Sequence, residues 1–344
     1  MPPGRTALLG LLLWIAVVPA IAATDAVILM YHRFGEDRYP STSVTLAQFD
    51  AHLDYLDKAG YRVMPLGDVV AAIEGKGTLP DRAIAITVDD AYRSVFTDAF
   101  PRMKRRGWPF TVFVSTAGVD EGLEAFMTWE QMRTMRDAGV SFAHHTASHD
   151  SMIERREGED ASAWRKRIDA DLDRGVERLN DELGLTSTLF AYPYGEYDIA
   201  ASKLIEARGW TAFGQHSGAV GQGSDRRALP RFPMAEPFAA LDDFKTKVAS
   251  LPLSVERQEP WDPVTTDRRP SLEVVLAHTP QRIDELACYV SGQDRVDVRW
   301  VEPKKRFIVR ASRDLPKGRA RYNCTVPASD AGRFHWFSHQ WVVK

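Results

Sequence analysis

The apolar positions of the chain come in short runs that alternate with segments of helical period. Ala26 to Met30 is a compact apolar run ending in Tyr31-His32, and it predicts a buried strand. Thr45 and Gln48 have capping-box spacing, and Leu46, Phe49, Leu53 and Leu56 recur at helical intervals up to Gly60. Tyr61 to Met64 predicts a brief strand and Leu66 to Ile73 a helix, broken by Gly75, Gly77 and a Pro80-Asp81 turn. Residues 83–88 are the next strand, which delivers Asp89 and Asp90. Val95 to Arg106 is helical with a kink at Pro101. The alternation continues with a strand at Pro109 to Ser115, a helix at Trp129 to Ala138 and a strand at Val140 to Ala143. A long charged helix, Ala161 to Leu183, is followed by a strand at Thr188 to Tyr192, a helix at Ile199 to Arg208 and a strand at Trp210 to Phe213. Ala228 to Met234 and Leu241 to Leu251 predict a last strand and a last helix.

Repeated alternation of this kind argues for an α/β fold with parallel strands. In barrels built this way the chemistry sits at the C-terminal strand ends. His32, Asp89-Asp90, His145 and His149, Tyr192-Pro193-Tyr194 and His216 all fall at such ends. Beyond Pro252 the texture changes. Pro260, Pro263 and Pro270 mark residues 253–270 as a linker, and residues 271–344 carry only short alternating runs, which predict a small all-β sandwich. Trp300 between Cys288 and Cys324 follows the Cys…Trp…Cys order of immunoglobulin-like domains.

Composition adds an address and removes some partners. The chain has 344 residues and a formal charge of −3, so nothing points to nucleic acid. Arg5, the apolar Leu8 to Val18 and the small-residue Ala20-Ile21-Ala22 read as a secretory signal over residues 1–23, too short for a mature membrane span. The expectation is an exported protein, periplasmic or extracellular, with no stable span after cleavage. In that setting Cys288 and Cys324 read as a disulfide.

The polar clusters carry the chemistry. His145 and His149 stand four apart, so on a helical backbone both imidazoles meet one cation. Two imidazoles and one carboxylate leave coordination positions open, as a hydrolytic metal site needs. Asp89 and Asp90 point to opposite sides of a strand end, so one can bind a metal while the other serves as a base; spacing does not say which. An ordinary helix N-cap is the plain alternative for this pair. Tyr192-Pro193-Tyr194-Gly195 makes a sharp loop whose main-chain N–H can stabilise an oxyanion, or simply an aromatic turn.

Thr87-Val88-Asp89-Asp90, His145-Thr146-Ala147-Ser148-His149 and Tyr192-Pro193-Tyr194-Gly195, in that order, resemble the NodB-type polysaccharide deacetylases (carbohydrate esterase family 4 and relatives). Leu29-Met30-Tyr31-His32 and Trp108-Pro109-Phe110-Thr111-Val112-Phe113-Val114 are similar to their flanking strands. The resemblance covers residues 26–250 and is nearest to the exported branch that acts on poly-N-acetylglucosamine. It implies a distorted (β/α) barrel over residues 24–252 and removal of N-acetyl groups from an N-acetylated glycan. It also implies Asp89 as general base, Asp90, His145 and His149 as ligands of a divalent metal (usually Zn2+), and the Tyr194 N–H as oxyanion donor.

The sequence departs from the family pattern at three points. Val88 and Ala91 stand where Phe and Gly are usual, and Ala191 replaces the motif arginine that pairs with the catalytic carboxylate. Arg231, in Leu229-Pro230-Arg231-Phe232, is the candidate replacement. For the general acid we take His216 at a strand end, ahead of His278, with His32 as a further strand-end histidine. Two other functions remain open: an amidohydrolase of this fold acting on a non-carbohydrate amide, and a non-catalytic glycan-binding protein.

Overall fold

A computed structural model of the chain describes residues 25–344. The signal segment read from residues 1–23 lies outside them. Nine strands form the principal sheet: Asp25–Tyr31 (β1), Arg62–Val63 (β2), Ala83–Asp89 (β3), Thr111–Val114 (β4), Ser141–His144 (β5), Leu189–Ala191 (β6), Thr211–Phe213 (β7), Ala219–Gly221 (β8) and Phe232–Pro233 (β9). The order is β8-β1-β3-β4-β5-β6-β7, with β9 on β1 and β2 on β3. Every pairing is parallel except β8 on β1.

The sheet curls until one segment touches both of its edges. Leu229 bridges Phe213 of β7, and Phe232 pairs with Leu29 of β1. The predicted strand from Ala228 to Met234 is therefore two short contacts on opposite edges, with Arg231 between them.

Side-chain alternation along β3 sets what faces inward. Ala83 and Ala85 join an interior cluster with Ala26, Ile28, Phe113, Ala143, Ala191, Phe213 and Leu229. Ile84, Ile86 and Val88 pack instead in the outer core. The helix Leu46–Lys58 forms part of that outer layer through Phe49, Leu53 and Leu56, and its Thr45 capping box is present. Small alanines inside leave room above them for Thr87, Asp89 and the fully buried Arg231.

Two helix expectations change in detail. Val95–Ala99 is a π-helical turn running into the α-helix Phe100–Arg106, with Pro101 in the first turn, where its missing N–H costs nothing. The last helix stops at Val248, and Leu251–Pro252 then pairs with His335 and Trp336.

The stretch read as a linker, residues 253–270, carries strands. Val255–Glu259 pairs with Ser271–Leu276, and Val264–Thr265 pairs with Val342 and Val343. Pro260 and Pro263 fall in the connection between these strands, where no ladder hydrogen bond is required of them. Two sheets of six and four strands make up the C-terminal region. They share a core that includes Leu272, Val274 and Phe307 from one and Val290, Tyr322 and Trp341 from the other. The Cys288–Cys324 disulfide is present, but it joins directly opposed residues of neighbouring strands within one sheet. Trp300 lies on the other sheet against Phe307. An immunoglobulin-type bridge spans two sheets beside its tryptophan, so the Cys…Trp…Cys order does not carry that likeness here.

The two regions meet along the strand Phe334–Val343, where the Trp336 ring packs edge-on against Phe232. Among the described residues no helix is long and apolar enough to cross a membrane.

Candidate active site

Asp89 is the last residue of β3 and faces inward in register with Ala85 and Thr87. Its carboxylate is fully buried and gripped by Arg231, with Nη1 at 2.7 Å from Oδ1 and Nη2 at 2.8 Å from Oδ2. The same guanidinium donates to Thr87 Oγ1 at 3.1 Å and to the Gly214 carbonyl at 3.0 Å. A planar fork meeting a carboxylate is the strongest form of such a pair. Burial alone would raise the Asp89 carboxyl; Arg231, His145 and His32 outweigh it and hold it below the ordinary range. Ala191, the position of the motif arginine, sits in the alanine-rich interior, and Arg231 brings the same charge to Asp89 from the segment that closes the sheet.

The chain then turns sharply. Asp90 and Ala91 have φ of 72° and 57°, in the left-handed region. The turn swings the Asp90 carboxylate toward the end of β5. Asp90 Oδ1 lies 3.2 Å from His145 Nε2 and 3.1 Å from His149 Nε2. Neither Asp90 Oδ1 nor His145 Nε2 has a partner of hydrogen-bond geometry, although both are buried. One ligand atom from each of the three residues lies within 4.8 Å of the others. Buried, unpartnered donor atoms converging on one point are what a divalent cation with mixed N and O ligands requires. The three residues fit such an ion.

The outer contacts fix the ligands. His145 Nδ1 stands 2.7 Å from the Ala191 carbonyl, which can only accept, so that nitrogen carries the proton and Nε2 is left with its lone pair. The histidine segment is not helical: Thr146 and His149 have φ of 61° and 63°, and Thr146 Oγ1 accepts from the His149 N–H. Loop reversal, rather than a shared helix face, brings the two imidazoles together. Asp171, on the long helix Ala161–Leu183, holds this loop by accepting from the Ser148 N–H at 3.1 Å and its hydroxyl at 3.0 Å. Asp171 is one acid among many on a charged helix, and nothing in its local sequence marks it.

Tyr194 places its ring edge-on to His149 at 4.6 Å. Its φ is 58°, and its N–H has no protein acceptor among the described residues. Gly195 follows with φ of 68°, and a Cβ there would lie 2.5 Å from the Gln215 side chain, so this position admits only glycine.

The two strand-end histidines are placed differently from the sequence expectation. His32 Nε2 lies 3.9 Å from Asp89 Oδ2. Burial lowers its pKa, against the opposing pull of Asp90 and Asp89. His216 does not join the cluster. Its main-chain carbonyl accepts from the Arg231 N–H, but its ring lies in a cleft of about 740 Å3 between the two regions, lined also by Tyr197, Trp261, His278 and Trp336. Burial, then Arg321 and Arg231, push the His216 imidazole down to about 3. His278 lines the same cleft and does not reach the carboxylates either. The main chain of His216 thus meets Arg231 while its ring lines the cleft.

The curled sheet thus brings an arginine-clamped carboxylate and an Asp-His-His cluster together at its strand ends. The model of the polysaccharide deacetylase family matches residues 76–213 of this chain. YxkH of Bacillus subtilis (strain 168) is 25% identical over 186 residues, 53% of this chain and 61% of YxkH. The poly-beta-1,6-N-acetyl-D-glucosamine N-deacetylase of Escherichia coli (strain K12) is 25% identical over 226 residues, 56% of this chain and 34% of that enzyme. The chain thus spans less than two thirds of the length of either relative. The solved structure of IcaB from Ammonifex degensii superposes with a TM-score of 0.55 at 26% identity, covering 64% of this chain and 97% of IcaB.

Proposed function

We propose that this chain is an exported, metal-dependent N-deacetylase that hydrolyses the acetamido group of N-acetylglucosamine units in a glycan. The observation that carries the reading is the convergence of Asp90, His145 and His149 on one point beside the Arg231-clamped Asp89. The relatives named for poly-N-acetylglucosamine supply the substrate class.

Asp90, His145 and His149 would hold a divalent cation, and their imidazole and carboxylate donors suit Zn2+ among the first-row metals. The chemistry such an ion would supply there is polarisation of the amide carbonyl and a lowered pKa for a water. Asp89, kept ionised by Arg231, takes the proton from the attacking water. The Tyr194 N–H, free of protein acceptors, donates to the developing oxyanion. His32, close to Asp89, delivers a proton to the departing amine, the role that the sequence reading gave to His216. The products are acetate and a glycan carrying a free amine.

The test is acetate release by the metal-loaded protein from N-acetylglucosamine oligomers, run beside small cyclic amides. Turnover of the sugar oligomers alone supports the reading; turnover of the amides alone replaces it with an amidohydrolase. Glycan binding with no acetate from a metal-loaded sample makes the chain a binding protein. Sequencing the mature N-terminus from a fractionated cell tests export.

A further inference from the structure

The loop that carries the Tyr194 N–H is gripped from outside the sheet domain. Gln340, in the strand Phe334–Val343, is 1% exposed, and its Nε2 donates to the Gly195 carbonyl at 2.7 Å. A carbonyl only accepts, so the amide orientation is fixed by this bond. Arg319, in the neighbouring strand Gly318–Pro327, donates to the Tyr194 carbonyl at 2.9 Å, and its guanidinium stands 5.9 Å from the centre of the Tyr194 ring. Two successive carbonyls of the loop are thus each held by one of two paired C-terminal strands.

On the loop's other side, Ser151 donates to Glu196 at 2.7 Å, and the Gly195 N–H donates to the Tyr192 carbonyl at 2.8 Å. The two held carbonyls lie on the peptide planes after the Tyr194 Cα, so the plane that carries the Tyr194 N–H keeps only the torsions at that Cα, where φ is 58°. Tyr194 also holds a left-handed φ, which costs a residue with a Cβ about 1 kcal/mol or more. Such a conformation persists only where its surroundings over-determine it. Gln340 and Arg319 supply that determination.

We infer that the C-terminal sheets are part of the catalytic apparatus: Gln340 and Arg319 are positioning residues that hold the Tyr194-Gly195 turn in its oxyanion-binding form. The catalytic consequence rests on the deacetylase reading; the positioning itself does not.

The experiment compares the full-length, metal-loaded protein with its Gln340→Met, Arg319→Ala and Arg319→Lys variants. Gln340→Met keeps the volume of the side chain and removes the donor. Gln340→Met and Arg319→Ala are expected to lower kcat for acetate release about ten- to a hundred-fold, with KM within about twofold. Arg319→Lys, which keeps a donor, restores most of the loss. Amide hydrogen exchange over residues 192–197 rises in the two impaired variants, while zinc affinity by titration is unchanged.

A kcat within about twofold of the parent in both variants, or unchanged exchange over residues 192–197, overturns the proposal. Arg319 is largely exposed, so Arg319→Ala decides the matter if Gln340→Met fails to fold. A parent protein that releases no acetate sinks the deacetylase reading instead, and the exchange comparison still decides the positioning.

Discussion

Arg231 and Asp89 stand 142 residues apart in sequence and meet through two parallel hydrogen bonds of 2.7 and 2.8 Å, both side chains fully buried. The pair joins the end of β3 to the segment that closes the curled sheet. Breaking it from the arginine side leaves a buried, unpaired carboxylate. Arg231→Met is expected to destabilise the fold by about 3–5 kcal/mol, and the Asp89→Asn/Arg231→Met double variant by less than Arg231→Met alone. Denaturant unfolding of the set reads the coupling. Equal losses in the single and double variants would mean that the pair is not the source of the effect.

The Asp90, His145 and His149 cluster and Asp89 should separate cleanly in a metal assay. Asp90→Ala and His145→Ala are expected to lose both bound zinc and turnover. Asp89→Asn should keep the zinc and lose turnover by about a hundredfold or more. Metal content by elemental analysis and acetate release on the same samples check this. A chelator should abolish turnover, zinc should restore it, and the melting temperature should rise with added zinc, because only the folded chain assembles the three ligands. Asp89→Asn that turns over normally would remove Asp89 as the base.

The two strand-end histidines give a direct contrast. His32→Gln is expected to lower kcat by about a hundredfold or more, since a general acid contributes on that scale. His216→Phe is expected to change kcat by less than about threefold, because its ring lies in the cleft away from the carboxylates. The opposite ranking would return the acid role to His216.

Acid should loosen the seam between the two regions. His216 and His339 are buried, and His216 Nδ1 and both His339 nitrogens lack partners. Burial lowers both imidazoles to about 3, with Arg321 and Arg231 adding to the effect at His216 against Asp225, and His216 adding to it at His339. An unfolded histidine binds its proton near pH 6.5, so the unfolded chain gains protons first. The stability from these two neutral rings is present above about pH 6.5 and lost as pH falls toward 3. The slope for two such groups approaches about 2.7 kcal/mol per pH unit. His339→Phe is expected to reduce the slope between pH 6 and 4 by about 1.4 kcal/mol per unit. Urea unfolding at several pH values measures it; an unchanged slope would show that His339 does not titrate in that window.

Much of the site was legible because its parts are local. Asp89 and Asp90 end an apolar run, and the polar clusters mark strand ends. Other parts were not. The i, i+4 spacing of His145 and His149 would serve a helix, whereas left-handed residues at Thr146 and His149 fold the segment as a loop. The prolines at 260 and 263 suggested a linker, yet they lie between strands of the C-terminal sheets. Which strand-end histidine faces the carboxylates depends on side-chain direction at the end of a strand, and local sequence does not encode that.

The sequence by itself determined the alternating elements, the paired carboxylates at a strand end, the family-like motifs and the late cysteine pair. It did so because period, caps and turn residues act within a few positions of one another. Only the tertiary structure decided that Arg231 meets Asp89, that His32 lies beside Asp89 while the His216 ring lines the cleft, and that Gln340 reaches the Gly195 carbonyl. Each of these is a contact between segments remote in sequence. Each is set by how far the sheet curls and how the C-terminal strands dock against it, which no local pattern records.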